Sequence, residues 1–371
     1  MGTTTRAAVM WEAGRDWDVV ELQLDDPKER EVLVRFEAAG MCHSDDHIRT
    51  GDYPVRFPMV GGHEGAGIVE KVGPGVRRVA EGDRVVCSFI PACGVCRWCS
   101  TGHQAVCDAG LNASTGAFLD QTFRFHHGAT DLGGICALGT FSERAVISEY
   151  SCVKLPEDIP FDAGALLSCG VPTGWGSAVY AAGVRAGQTV VVYGCGGVGS
   201  NAVQGAALAG ARTIVVVDPV PFKREMAKVF GATHTFATHD EALAFVTQST
   251  WGVLADHAII TVGVNSAQTV SQAASIIGKL GTVVITAAGG PGSQIDMASG
   301  MLQVYLQRIQ GTLAGHTNPL ADMPRLMDLY RAGDLKLDEL ITKRYSLDQV
   351  NEMYHDMLDG KNIRGVIVRT A

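Results

Sequence analysis

The chain has 371 residues, which at about 150 residues per domain points to two domains. Apolar residues make up 46% and charged residues 19%, a globular balance that excludes a disordered chain, and a chain this long needs no disulfide framework. The 30 Lys and Arg against 39 Asp and Glu leave a net charge of −9, which argues against nucleic-acid and anionic-membrane partners because both demand concentrated positive charge.

The first residues, Met1-Gly2-Thr3-Thr4-Thr5-Arg6, carry no apolar run and read as no secretory signal; Arg6 stands where a myristoylation signal wants Ser or Thr. The longest uncharged stretch, residues 163–184, is broken by Pro172 and five glycines, so it reads as buried core rather than a membrane span. A cytoplasmic location is the default expectation. Ten cysteines in such a chain are expected to be thiols or metal ligands, not disulfides.

Short apolar alternations at 31–37, 67–72 and 83–89, separated by Gly, Pro and Asp, predict a β-rich region over about the first 160 residues. Within it Cys93, Cys96, Cys99 and Cys107 form a C-x2-C-x2-C-x7-C cluster in a glycine-bearing, proline-flanked segment. Four thiolates so close suit a closed tetrahedral zinc that staples a loop with little core of its own, and such a site keeps no open position for chemistry.

From about Pro172 the texture changes. Thr189–Tyr193 reads as a buried strand, followed at once by Gly194-Cys195-Gly196-Gly197-Val198-Gly199, a small-residue helix over 200–209 and a second strand, Thr213–Val217, that ends at Asp218. Later apolar strands at 258–262 and 282–286 alternate with helical segments, which implies a parallel doubly wound sheet. The tail over 323–360 reads as two amphipathic helices and 365–368 as a final strand.

A G-x-G-x-x-G between a strand and a helix lets the backbone approach a pyrophosphate, and the helix N-terminus offers N–H groups and a favourable dipole. Asp218, 19 residues after Gly199, is placed to accept the adenosine ribose hydroxyls and to repel a 2′-phosphate, which favours NAD over NADP. Lys223 reads either as a ribose contact or as a solvated lysine at a helix start.

Three further segments concentrate polar groups: Cys42-His43-Ser44-Asp45-Asp46-His47, Gly61-Gly62-His63-Glu64-Gly65 and Leu167-Ser168-Cys169-Gly170. Singly, His63 reads as a core histidine, Cys169 as a small buried hydrophobe and Ser44 as a turn residue. Together two thiols and an imidazole could supply three protein ligands of an open catalytic zinc, though spacing alone does not bring them together.

These segments, with the four-cysteine lobe, the glycine loop and Asn362-Ile363-Arg364-Gly365, resemble the zinc-dependent medium-chain alcohol dehydrogenases over essentially the whole chain. The resemblance implies an α/β fold in which a GroES-like, β-rich catalytic domain (residues 1–170 and 314–371) carries an inserted Rossmann domain (171–313), the active site lying in the cleft. It implies that Cys42, His63 and Cys169 bind a catalytic zinc, that Asp45 orients His63, and that Glu64 influences the metal. Ser44 and His47 match a proton relay, Thr173 and Val198 would pack on the nicotinamide, Arg364 would contact the pyrophosphate, and Phe89 would face the substrate. Tyr53 adds to an apolar, partly aromatic wall suited to primary alcohols.

His43 departs from the pattern, standing where many members place an arginine on the cofactor phosphates, and the His126-His127 pair matches no catalytic position. The wording of 116–144 is most similar to the bacterial NDMA-dependent alcohol dehydrogenases, which hold NAD tightly and pass electrons to an external acceptor. An NAD-exchanging dehydrogenase, a glutathione-linked formaldehyde dehydrogenase and a non-catalytic, crystallin-like relative are the alternatives. The family implies a homodimer or homotetramer, with 301–313 a candidate for subunit pairing.

Overall fold

The computed structural model describes residues 2–290, 292, 294, 295 and 299–369. The chain divides into two compact units: Met1–Cys169 with Asn318–Leu329 and Leu337–Ala371, and Gly170–Thr317 with Tyr330–Lys336.

The first unit is β-rich. Strands Thr3–Met10, Asp18–Leu24, Phe125–His127, Thr130–Gly134 and Met59–Val60 close into a barrel. A seven-stranded sheet runs in the order Cys152–Lys154, Arg84–Cys87, Glu64–Val72, Glu31–Gly40, Arg364–Val368, Ile341–Tyr345, with Arg144–Ser148 also pairing with Glu31–Gly40. Leu22, Val34, Val69, Val85, Phe125 and Ile147 meet in one core, because alternation along each strand sends its apolar side chains to the same face. The predicted strands at 31–37, 67–72 and 83–89 fall on Glu31–Gly40, Glu64–Val72 and Arg84–Cys87.

The second unit holds six parallel strands in the order His234–Phe236, Thr213–Val217, Thr189–Tyr193, Ala255–Ile260, Ile277–Ile285, Arg308–Gly311. In chain order this is 3-2-1-4-5-6, the doubly wound dinucleotide-binding arrangement, whose ligand crevice lies where the order reverses beyond the first strand. Two central strands, Thr189–Tyr193 and Thr213–Val217, are apolar after their first residue, as burial on both faces requires, and Ala255–Ile260 becomes so from Ala258 onward. Arg308–Gly311 is the edge strand, and near it Val304, Leu306 and Leu313 are exposed.

In the tail, helices Pro319–Arg331 and Val350–Leu358 match the two predicted, but a strand, Ile341–Tyr345, lies between them and pairs in parallel with Arg364–Val368. All ten cysteines are free thiols. Among the described residues no helix is long and apolar enough to cross a membrane.

Candidate active site

Two groups of side chains that could hold a metal ion converge in the first unit. Cys42 ends the loop before helix His43–Thr50, His63 directly precedes the strand Glu64–Val72 that Glu64 begins, and Cys169 follows helix Phe161–Leu166. These four side chains, 127 residues apart at the extremes, place ligand atoms within 4.8 Å of one another, and all are buried. Both ring nitrogens of His63 are buried without a hydrogen-bond partner, an expensive state unless a ligand takes one of them. Asp45 Oδ1 lies 3.4 Å from His63 Nδ1 but out of line for a hydrogen bond. Asp45 is itself fixed by the N–H groups of Cys42 (3.0 Å) and Gly62 (3.2 Å), so the carboxyl beside the ring is immobile.

The electrostatics favour a cation. The Cys42 thiol is pulled well below its usual range by its hydrogen bond to Cys169 first and by His63 second, against the burial that opposes ionisation. Cys169 is pushed well above by Cys42 and by burial, since two thiolates this close cannot both ionise without compensating charge. Burial alone would make His63 harder to protonate, but Asp45 and Cys42 outweigh it and raise its proton affinity. A divalent ion supplies the positive charge these groups solicit, and two sulfurs and one imidazole nitrogen are a donor set suited to zinc.

Glu64 is ion-paired with Arg364, both buried. Arg364 is thus turned into the cluster, where Glu64, Cys42 and Cys169 compensate the burial of its charge. Gly40 makes this possible, because a Cβ there would collide with Glu64 Oε2. Ser44 Oγ stands 3.7 Å from Cys42 Sγ. His47 is buried, with Nδ1 3.0 Å from Asp52 Oδ2, and its ring lies 5.5 Å from that of His43 and 5.2 Å from that of Tyr53. His43 Nε2 is 3.3 Å from Asp46 Oδ2. Phe89 packs edge-on to His63, ring centroids 5.9 Å apart. Phe89 and Cys136 also line a cavity of about 510 Å³, with Pro91, Ala109, Phe118 and Tyr150.

The second cluster is the lobe. Cys93 Sγ and Cys99 Sγ are 3.9 Å apart and Cys96 Sγ and Cys107 Sγ 4.0 Å. Four sulfurs at about 2.3 Å from one zinc would be separated by about 3.8 Å, so the cage has the right size. Backbone N–H groups of Val95, Cys96 and Cys99 donate to Cys93 and Cys96 sulfurs, which helps to hold Cys96 at about 6, while burial drives Cys107 up to about 12.

In the second unit the glycine loop joins Thr189–Tyr193 to helix Gly197–Leu208. Gly194 has φ +84°, and a Cβ on Gly199 would strike the Gly194 carbonyl oxygen. A Cβ on Gly196 would meet nothing within 4 Å, so open space lies beside a helix N-terminus, a cradle that fits a pyrophosphate. Asp218 receives the N–H of Cys195 on Oδ2 at 2.8 Å and that of Val220 on Oδ1 at 2.9 Å, tying the second strand to the loop. Lys223 sits half-buried on helix Pro221–Val229, and its neighbour Arg224, which the sequence did not single out, donates to the Asp218 carbonyl at 2.8 Å. Thr173 lies on helix Gly170–Gly176, where Gly174 lets that helix press against the Val198 carbonyl.

His126 is held between Asp25 (3.2 Å) and Asp131 (2.8 Å) on the barrel, and His127 stacks edge-on to Trp11.

A parallel dinucleotide sheet and a buried two-thiol, one-imidazole cluster define a zinc-type alcohol dehydrogenase. Residues 28–157 match the alcohol dehydrogenase GroES-like domain and 197–332 the zinc-binding dehydrogenase domain, and the chain belongs to this medium-chain family of oxidoreductases acting on CH–OH groups. It is 55% identical over 368 residues to the NDMA-dependent alcohol dehydrogenase of Amycolatopsis methanolica, with 99% of each chain covered. Among solved structures, an alcohol dehydrogenase zinc-binding domain protein from Burkholderia ambifaria matches with a TM-score of 0.93 at 32% identity over 100% of both chains. Benzyl alcohol dehydrogenase from Acinetobacter calcoaceticus matches at 0.92 and 30% identity, over 99% of this chain and 100% of its own.

Proposed function

We propose that the chain oxidises primary alcohols to aldehydes with NAD as hydride acceptor, using a catalytic zinc held by Cys42, His63 and Cys169 and a structural zinc held by Cys93, Cys96, Cys99 and Cys107. The observation that carries this reading is the buried convergence of Cys42, His63, Glu64 and Cys169 around a histidine with both nitrogens unpartnered. A bound zinc supplies a Lewis acid for the alcohol oxygen and NAD the hydride acceptor. Ser44 receives the substrate hydroxyl proton and His47, through its imidazole, carries it onward. Asp45 holds His63 in place, and Glu64, paired with Arg364, keeps a second anion near the metal without adding a free charge.

Gly194, Gly196, Gly197, Val198 and Gly199 cradle the pyrophosphate, with Thr173 and Val198 against the nicotinamide and Asp218 and Lys223 at the ribose; Arg364, expected on the pyrophosphate, is paired with Glu64 instead, and His43 faces Asp46. Phe89 and Tyr53 wall the substrate, an aromatic surface that suits an aliphatic or aromatic alcohol. The relative's dependence on NDMA supports a nicotinoprotein reading, in which NAD stays bound and an external acceptor regenerates it. The exposed edge strand Arg308–Gly311 with its apolar neighbours supports pairing into a homodimer or homotetramer.

Metal and nucleotide analysis of purified, exhaustively dialysed protein tests the reading. Two zincs per chain, falling to one in Cys169→Ala with alcohol oxidation lost and NAD still bound, are expected; a single zinc in the wild type overturns it. Retained nicotinamide and turnover with an added acceptor alone support the tight-NAD form, which a strict need for added NAD removes.

A further inference from the structure

His47 is buried, and its Nδ1 lies 3.0 Å from a carboxylate oxygen of Asp52. The chain builds this pair locally. Helix His43–Thr50 ends at Gly51, whose φ of +80° turns the backbone back, and the Tyr53 N–H closes the turn onto the His47 carbonyl at 3.1 Å. Asp52, inside that turn, is thereby returned to the ring one helical turn earlier. The position is an unfavourable one for an anion, because a helix C-terminus repels negative charge. A carboxylate kept there has a partner that repays the repulsion, and the partner is the imidazole.

From this pair we infer that Asp52 is a positioning residue of the proton relay: its carboxylate fixes the tautomer and orientation of His47 and balances the charge of the ring when it takes a proton. The inference rests on the relay role of His47 proposed above. An ionised carboxylate only accepts, so Nδ1 carries the hydrogen and donates it to Asp52, which leaves the lone pair on Nε2 as the base. When Nε2 takes a proton, the imidazolium faces an anion 3.0 Å away rather than an apolar wall. The Asp52 carboxyl is held below its usual range, by His47 first and the Thr50 hydroxyl second, so it is an anion at working pH.

The titratable neighbours of the ring on the same helix and turn have partners of their own. His43 stands 5.5 Å away and its Nε2 faces Asp46, which also accepts the Tyr354 hydroxyl. Arg49 is engaged by Tyr354 and Asp16. Tyr53 packs against the ring at a tilt of 47°, and Cys42, His63 and Cys169 lie within electrostatic reach of Tyr53. The Asp52 side chain is 25% exposed against 3% for His47, so it can be replaced without opening a core.

The test compares Asp52→Asn, Asp52→Glu and His47→Gln in the full-length protein as isolated, with metal content and thermal midpoint measured for each. Asparagine offers a donor as well as an acceptor and no charge, so it holds neither one tautomer nor the imidazolium. Asp52→Asn is expected to slow alcohol oxidation about tenfold or more at pH 6 and less at pH 9, with KM for the alcohol little changed and Asp52→Glu recovering most of the rate. Nitrogen-15 spectra of labelled protein, with the His47 signals assigned by their loss in His47→Gln, should show the Nδ1–H form in the wild type and a mixture in Asp52→Asn. A wild-type rate profile and unchanged ring signals in Asp52→Asn overturn the inference, as does a loss equal at every pH that Asp52→Glu shares. If His47→Gln itself keeps full activity, the relay reading fails; if His47→Gln is slow while Asp52→Asn is not, only the role given to Asp52 fails.

Discussion

Glu64 and Arg364, 300 residues apart in sequence, are ion-paired with both side chains buried at the edge of the Cys42, His63, Cys169 cluster. Breaking such a pair leaves one uncompensated charge in a low-dielectric site, which typically removes about 3–5 kcal/mol of stability. Arg364→Met is therefore expected to lower the unfolding free energy by about that amount, whereas Glu64→Gln with Arg364→Met together should recover part of it. Denaturant titration of the two variants checks this, and equal destabilisation of the single and double variants would contradict it. Gly40→Ala is expected to act on the same pair from outside it, because its Cβ collides with Glu64 Oε2.

Gly196 and Gly199 make opposite demands on the same loop. A methyl group on Gly199 drives into the Gly194 carbonyl, so Gly199→Ala should disturb the strand-to-helix turn and lower thermal stability. On Gly196 the methyl meets only open space, so Gly196→Ala should fold normally yet weaken NAD binding about tenfold or more, or about 1.4 kcal/mol. Melting curves and nucleotide content measured side by side separate the two. An intact nucleotide complement in Gly196→Ala would show that the open space is not where the pyrophosphate lies.

The lobe should unfold without its ion. Cys93, Cys96, Cys99 and Cys107 hold sulfurs 3.9–4.0 Å apart over a segment of short helical turns, and Val95, Val106 and Leu111 are exposed there. Cys107→Ala is expected to remove one zinc per chain and make the segment around residues 93–111 the first site of limited proteolysis, while the other zinc remains. Proteolytic fragments mapped by mass decide this, and a cleavage pattern like that of the wild type would count against a stapling role.

These sites differ in how far they could be read from the chain. The glycine loop was legible because its strand, turn and helix are contiguous and each glycine answers a local need. The lobe was legible for the same reason, four ligands falling within 15 residues. The Cys42, His63, Cys169 group was named only through family resemblance, since three segments must be folded together before their side chains meet. Gly40 gave no signal at all: its role depends on two side chains brought beside it from residues 64 and 364. Asp52 was passed over because a polar residue after a helix-ending glycine reads as solvated turn. The strand Ile341–Tyr345 was missed because its three central residues are exposed and its pairing is with a strand beyond the intervening helix.

A pH dependence of stability is expected from Glu149. Its side chain is 2% exposed and accepts the N–H groups of Arg77 (2.8 Å) and Arg78 (2.9 Å) and the guanidinium of Arg30 (2.9 Å). Burial favours the protonated acid, but these donors outweigh it and hold the carboxyl below its usual range. A carboxyl depressed on folding stabilises the native state fully at pH above its unfolded value, and that contribution disappears as pH falls through the folded value. Glu149→Gln should therefore lower stability by about 1.5–3 kcal/mol at pH 7, the net worth of a hydrogen bond to a charged group. The difference from wild type should shrink as pH falls below the unfolded carboxyl's value of about 4.3 and vanish only below the lower folded one, where the native carboxyl also takes a proton. Urea midpoints of both proteins at pH 7 and at pH 3.5 measure it, and a gap that stays constant across that interval would mean the ionised form is not what the three donors stabilise.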